Sequence, residues 1–270
     1  MLPIVDLHSH YYGDLAAGAE GFRRLVDLPE VHRVVVCALD LKLAPTAGFE
    51  HMSSYATTNE QLEDLVHRIA SPKLVPFAHI DPRQEGAPRQ VEHWVRERGM
   101  RGIKLYPPQG FYPNDPACLD VCRAIQECDV PVLVHMGRVS SHPGLRSKYA
   151  QPIHLEEVGL ACPRLRLIIG HFASPWAMEA CHIAMSWPQW AYDLTTSGSS
   201  DPAVLRHVCG LPWDPGIKRF VLGTDGDGAN NLDIARTTRE RLAAWGFTED
   251  ELDVMFYHNG MRVLGEAPPR

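Results

Sequence analysis

Eight short apolar runs, spread over the whole chain at 3–7, 34–39, 74–79, 102–106, 132–135, 167–171, 190–194 and 220–225, constrain this sequence more than any other feature. They are brief, nearly continuous and rich in β-branched residues, as strands buried on both faces are. Helical patterns lie between them. One falls within 15–28. A second opens on what reads as a capping box, Thr57-Thr58-Asn59-Glu60, continues through Leu62, Leu65, Val66 and Ile69, and is closed by Pro72. A third carries Val91, Trp94 and Val95. In a fourth, Asp115 caps a helix with Pro116 at its first position and Leu119, Cys122 and Ile125 as the buried stripe. Further patterns follow at 155–161, 176–186, 232–245 and 249–263. Strands alternating with helices make a parallel α/β protein, and eight strands are the number that closes a (β/α)8 barrel of the TIM type. A doubly wound open sheet is the runner-up. No linker, repeat or low-complexity tract breaks the chain, so 1–270 reads as a single domain.

The barrel is preferred because of what stands where the runs end. The first passes directly into His8-Ser9-His10, the fifth ends at His135, the sixth at His171 and the eighth in Gly223-Thr224-Asp225. Side chains two apart on a strand point the same way, so His8 and His10 can close on one ion. Singly, each has a plain explanation: a strand-end His can cap a carbonyl, and Asp beside Gly suits a turn. Together they are harder to dismiss. A closed barrel gathers its strand ends at one mouth, where imidazoles plus a carboxylate form a set suited to zinc, manganese, cobalt or iron.

Bulk properties exclude several classes. With 45% hydrophobic and 22% charged residues the chain is globular rather than disordered, and its net charge of −7 gives no global reason to bind nucleic acid or an anionic membrane. No apolar run approaches the roughly 18 residues of a membrane span. The chain opens at once on a strand-like run, which leaves no room for a targeting peptide. Seven Cys without a Cys-x-x-Cys pair read as reduced thiols, and the expected compartment is the cytoplasm.

Val5-Asp6-Leu7-His8-Ser9-His10, Gly102-Ile103-Lys104-Leu105-Tyr106-Pro107, Pro131-Val132-Leu133-Val134-His135, Ile169-Gly170-His171, Gly223-Thr224-Asp225 and the closing Asn259-Gly260-Met261-Arg262-Val263-Leu264 resemble, in order and over the whole length, the amidohydrolase superfamily. The likeness is greatest to its amidohydrolase-related (amidohydrolase 2) branch of hydrolases, lactonases and non-oxidative decarboxylases. The resemblance implies that His8, His10 and His135 bind metal, and that Asp225 is both a ligand and the general base toward water on the ion. His171 would bind a second metal or act as an acid/base. Lys104 would bridge two ions if carboxylated, as in two-metal members; its plain alternative is a barrel-lining Lys that neutralises Asp225 or a substrate carboxylate. One or two divalent ions per chain follow, zinc first, with manganese, cobalt and iron as alternatives.

Substrate signals are thinner. Arg138, three residues beyond His135, together with Arg146, Lys148 and Lys104 can give a positive mouth for a carboxylate-bearing small molecule, although Arg146 and Lys148 equally suit a solvated loop. Tyr11, Tyr12, Phe111, Tyr112 and Trp176 fall in loops expected at the same mouth, with Tyr11 and Trp176 taken as substrate contacts. The leading expectation is a hydrolase acting on an amide, ester or lactone carbonyl. The alternative is a lyase that removes CO2 from an aromatic or muconate-like acid. TatD-like nucleases share the His-x-His start but would carry Glu where this chain has Lys104. The phosphoesterases called PHP need further ligands not found here, and a non-catalytic barrel would be expected to have lost a ligand. No nucleic-acid or membrane partner is expected, and self-association into a homo-oligomer is compatible with such families.

Overall fold

The computed structural model describes residues 2–13, 18–43, 47–48, 56–139, 142–195, 202–211 and 216–266. Eight parallel strands stand in sequence order: β1 (Ile4–His10), β2 (Val31–Cys37), β3 (Leu74–His79), β4 (Gly102–Leu105), β5 (Val132–Val134), β6 (Leu167–Ile169), β7 (Ala191–Asp193) and β8 (Phe220–Val221). Closure is made by main-chain bonds from β1 to the chain beyond β8: Leu7 N donates to Leu222 O (2.9 Å), Asp225 N to His8 O (2.7 Å) and His10 N to Gly226 O (2.8 Å). The result is a (β/α)8 barrel, as the eight runs predict.

Helices α1 (Gly18–Asp27), α2 (Asn59–Ile69), α3 (Ala87–Glu92), α4 (Pro116–Glu127), α5 (Glu156–Ala161), α6 (Ala177–Ala184), α7 (Pro202–Cys209) and α8 (Asn231–Ala244) follow the eight strands in turn. Two more, α9 (Glu249–Asp253) and α10 (Asn259–Leu264), are joined by one π-helical turn, Val254–His258, and close the chain. The helical pattern at 15–28 falls partly outside the described residues. The α7 helix has no counterpart in the sequence reading. Two cap assignments shift. The capping box belongs to Thr58 and Gln61, whereas Thr57 turns inward and donates to Tyr11 O. Asp115 does precede α4, but its carboxylate accepts from Tyr112 N rather than from the helix.

The barrel interior below the mouth is apolar. Val5, Leu7, Val35, Cys37, Val75, Phe77, Leu133, Ile168, Ala191 and Val221 form one buried cluster, plugged from the N-terminal end by Tyr257, Met261, Val263 and Leu264. Burying a side chain such as Phe77 contributes about 1.5–3 kcal/mol. Gly102 is what admits that ring, since a Cβ there would lie 2.4 Å from it. At the closing motif, Asn259 Nδ2 donates to the carbonyls of Ile217 and Phe220, and Gly260 lies so close to Val5 that a Cβ would sit 2.6 Å from its Cγ1. Those two residues fasten the plug to β8 and β1. No helix among the described residues is long and apolar enough to cross a membrane.

Candidate metal centre

Alternation decides which residues face the axis. Phe77 is interior and Ala78 belongs to the outer, helix-facing cluster, so His79 faces inward; Leu133 likewise sends His135 inward, and Ala191 sends Asp193 inward. On β1 strict alternation from Leu7 would send His8 outward. The β1–β2 register slips between Asp6 and Ser9, which pair with Val34 and Val36. This bulge lets Leu7 fill the interior and still aims His8 and His10 at the mouth, a known use of an extra residue beside a site.

The donor atoms converge tightly. His8 Nε2 lies 3.0 Å from His10 Nε2, 3.0 Å from Lys104 Nζ and 3.4 Å from Asp225 Oδ1; His10 Nε2 is also 3.4 Å from that oxygen. An ion with bonds of about 2.1 Å has tetrahedral edges of roughly 3.4 Å, so the triangle fits one divalent ion. The donor chemistry agrees. His8 Nδ1 donates to Asp193 Oδ2 at 2.6 Å, which fixes its proton there and turns the Nε2 lone pair into the triangle. Beside it, His171 Nε2 lies 3.0 Å from His135 Nδ1, and His171 Nδ1 pairs with Thr195 Oγ1 at 2.7 Å. His135 Nε2 is buried without a hydrogen-bond partner, as an unfilled ligand atom would be.

Among the described residues, two groups of three have ligand atoms mutually within 4.8 Å: His8, His10 and Asp225, and His8, His171 and Asp193. The first is the triangle whose spacing fits an ion. In the second, Asp193 is committed to orientation: besides His8 it accepts from Thr195 N (2.9 Å) and His171 N (3.3 Å). Asp193 is absent from the sequence-derived set. Its only signal is a carboxylate inside the otherwise apolar run 190–194. Gly223 makes room for it, because a Cβ would fall 1.9 Å from Asp193 Oδ1. Asp6 plays a parallel part from the outer face. It accepts from His8 N, Thr224 N, Thr224 Oγ1 and Asn231 Nδ2, tying the β1 bulge to the turn that carries Asp225.

Burial sets the charges. It drives His8, His10 and His135 well below the usual imidazole range and His171 down to about 4, with Lys104 adding to the effect in each. Burial also lowers Lys104, against the pull of Cys37, Asp225 and Asp193, toward the neutral amine that ligation or carboxylation requires. It pushes Asp6 up to about 7, Asp193 to about 6 and Asp225 to about 7. Asp225 keeps 40% of its side chain accessible from the mouth, so solvent screens its shift most. His171 is held in the left-handed region (φ 54°), as are Phe172 and Ala173 (φ 48° and 51°). Three successive non-glycine residues there mark a turn whose shape is imposed by its site.

The other expected contacts divide. Arg138 is exposed beyond β5, and Trp176 is half-buried at the start of α6. Tyr11 does not reach the mouth. It is 3% exposed in the outer cluster, packed edge-on against Phe22 with its hydroxyl accepting from Arg68, because the residue after His10 points away from the axis. Its neighbour Tyr12 stacks on His10 instead, with ring centroids 5.8 Å apart. Phe111 is core, Tyr112 packs against Tyr149 and His154, and Arg146 donates to the carbonyls of His142, Pro143 and Leu145.

A parallel barrel whose mouth gathers imidazoles, carboxylates and one buried amine belongs to the class of (β/α)8 proteins built for a divalent ion. More particularly, the chain belongs to the amidohydrolase family, whose sequence pattern matches residues 5–265. No curated protein matches it in sequence. Among solved structures it is similar to an uncharacterized TIM-barrel protein from Bordetella bronchiseptica (TM-score 0.72, 15% identity, 98% of this chain and 99% of that one). It is also similar to a probable 2-pyrone-4,6-dicarboxylic acid hydrolase from Acinetobacter baumannii with citric acid bound (0.64, 12%, 98% and 100%). A third is a 5-carboxyvanillate decarboxylase from Novosphingobium aromaticivorans with bound manganese and a nitrobenzoic acid (0.62, 13%, 90% and 80%). Two of these relatives are thus named for different reactions, a probable hydrolase and a decarboxylase, and the decarboxylase has manganese bound.

Proposed function

We propose that the protein is a metal-dependent hydrolase of small carboxylate-bearing molecules, cleaving an amide, ester or lactone. The observation that carries this reading is the triangle of His8, His10 and Asp225, in which the imidazole ligands are sealed and the carboxylate alone opens to the mouth. His8, His10 and Asp225 would hold the ion, with His135 completing the set through its unpartnered Nε2. A bound divalent ion supplies an acidified water and polarises a carbonyl. Asp225 accepts a proton from the attacking water on its exposed side and returns it to the leaving group. Asp193 keeps His8 in the ligating tautomer throughout. Arg138 stands free at the rim to pair with a substrate carboxylate, and Trp176 walls the same side. Zinc fits the nitrogen-rich set, and manganese is supported by the decarboxylase likeness.

Decarboxylation is the second reading, favoured by one specific feature: His171, a neutral imidazole backed by Thr195, is placed to move a proton without being needed in the ion triangle. The two separate on turnover. Protein loaded with zinc or manganese is offered a panel of lactones, esters and amides under pH-stat, and a panel of hydroxylated aromatic acids with detection of CO2. Hydrolysis abolished by Asp225→Asn supports the first reading; CO2 release without hydrolysis replaces it with the second.

A further inference from the structure

At the C-terminal ends of the strands the inward layer is polar almost all round: His8 and His10 from β1, His79 from β3, Lys104 from β4, His135 from β5, Asp193 from β7 and Asp225 beyond β8. All but one belong to the ion triangle or pair with a neighbour at the mouth, as Lys104 and Asp193 do with His8 and His135 does with His171. The exception is His79. Its Cα is paired in register with that of Lys104, whose amine touches His8, so its ring enters the same mouth one strand further round. It is 6% exposed, and its Nε2 is buried with no hydrogen-bond partner. The same holds for His10 Nδ1 and His135 Nε2, but those rings meet a neighbour through their other nitrogen; a ligand atom would account for the open nitrogen of His79.

The backbone beneath it is built to hold it still. Asn59, the first residue of α2, donates from Nδ2 to His79 O (3.0 Å) and accepts His79 N at Oδ1 (2.7 Å). That pair of bonds pins the last residue of β3 through its main chain and leaves the ring untouched. Over the same side of the mouth lies a separate apolar cluster of Leu39, Leu41, Tyr106, Val139 and Leu145, reaching from the end of β2 to the loop beyond β5, with the Tyr106 ring 4.6 Å from that of His135. His79 therefore offers one hydrogen bond at the edge of an apolar wall, in the same mouth as the ion triangle.

We infer that His79 is a specificity-determining residue that hydrogen-bonds a hydroxyl or carbonyl oxygen on the apolar body of the substrate, remote from the group that meets the ion. The inference rests on the site proposed above as the reacting centre. It assigns the substrate class further: a carboxylic acid whose ring or chain carries a second, uncharged oxygen. A second carboxylate suits the position less, because the buried imidazole brings a single donor beside an apolar wall.

The test uses manganese-loaded full-length protein titrated calorimetrically with benzoate and with 2-, 3- and 4-hydroxybenzoate. At least one hydroxylated isomer is expected to bind tenfold or more tighter than benzoate. In His79→Leu that preference should vanish while benzoate affinity stays within twofold and metal content per chain is unchanged. His79→Gln, which keeps a donor and guards against a folding defect in the first variant, should restore part of the preference. Preference retained in His79→Leu, loss of metal in either variant, or no binding of any isomer overturns the inference. Hydrolysis and CO2 release play no part in this readout, so failure of the proposed reaction leaves the result on His79 legible, and the reverse.

Discussion

The two ends of one barrel are built on opposite terms. At the N-terminal end Tyr257, Met261, Val263 and Leu264 plug an apolar interior, and the glycine among them serves only close packing. At the other end the same eight strands present imidazoles, carboxylates and a buried lysine, held by a bulge in β1, a left-handed turn after β6 and the close approach at Gly223. Apolar burial stabilises the first. The second gathers groups whose charges burial disfavours, and is retained for what it can bind. Stability and chemistry should therefore separate under mutation.

The largest separation is expected from Asp225→Asn. Loss of the proposed general base should lower kcat on the order of 10²–10⁴-fold, while thermal melting stays level. Met261→Ala is the converse: a cavity in the plug should cost about 2–5 kcal/mol in denaturant unfolding, with kcat of the folded fraction unchanged. Comparable loss of both properties in either variant would mean the two ends are coupled. Asp193→Asn tests the bracing of the mouth. Removing the carboxylate that orients His8 should weaken metal affinity about 10–100-fold, read by competition with a chromophoric chelator.

A smaller effect is expected from pH on the metal-free protein. Five imidazoles, His8, His10, His79, His135 and His171, have folded values pushed down by burial, so between about 4 and 6.5 the unfolded chain binds more protons than the folded one. Their contribution is lost as pH falls through that window. Asp6, Asp193 and Asp225 are pushed up, to about 7, 6 and 7, and act oppositely: their contribution is present below about 3.8 and lost as pH rises through the folded values. Five against three leaves a net loss, so melting should drop from pH 6.5 to 4.5. Met261→Ala should displace that curve without changing its slope; a changed slope would blur the distinction between the ends.

Much of this architecture is legible in the sequence because both signals are local. A buried parallel strand is a short apolar run, and a candidate site residue is the polar residue at its end, as at His8, His10, His135, His171 and Asp225. What escapes is set by neighbours in space. Asp193 reads as an interruption of an apolar run until β6 and β1 bring His171 and His8 against it. His79 ends a run just as His135 does, and only its pairing beside Lys104 in the barrel wall marks where it stands at the mouth. Tyr11 looks like a mouth residue because it follows His10, but alternation turns it into the helix layer. The capping box slips by one residue since Thr57 and Thr58 are chemically equivalent, and only the pairing of Thr57 with Leu39 across the β2 loop tells them apart.

The most direct test of the central claim, that the polar mouth is a divalent-metal site held by His8, His10 and Asp225, is metal content per chain by plasma mass spectrometry. It is measured on protein purified without chelator, beside a His8→Ala/His10→Ala double variant and Lys104→Ala. At least one ion per chain in the wild type, lost in the double variant, is the expected result. A second ion that disappears with Lys104→Ala would add a lysine-dependent position to the same site. A wild type without bound metal, or a double variant that keeps its full complement, would contradict the claim.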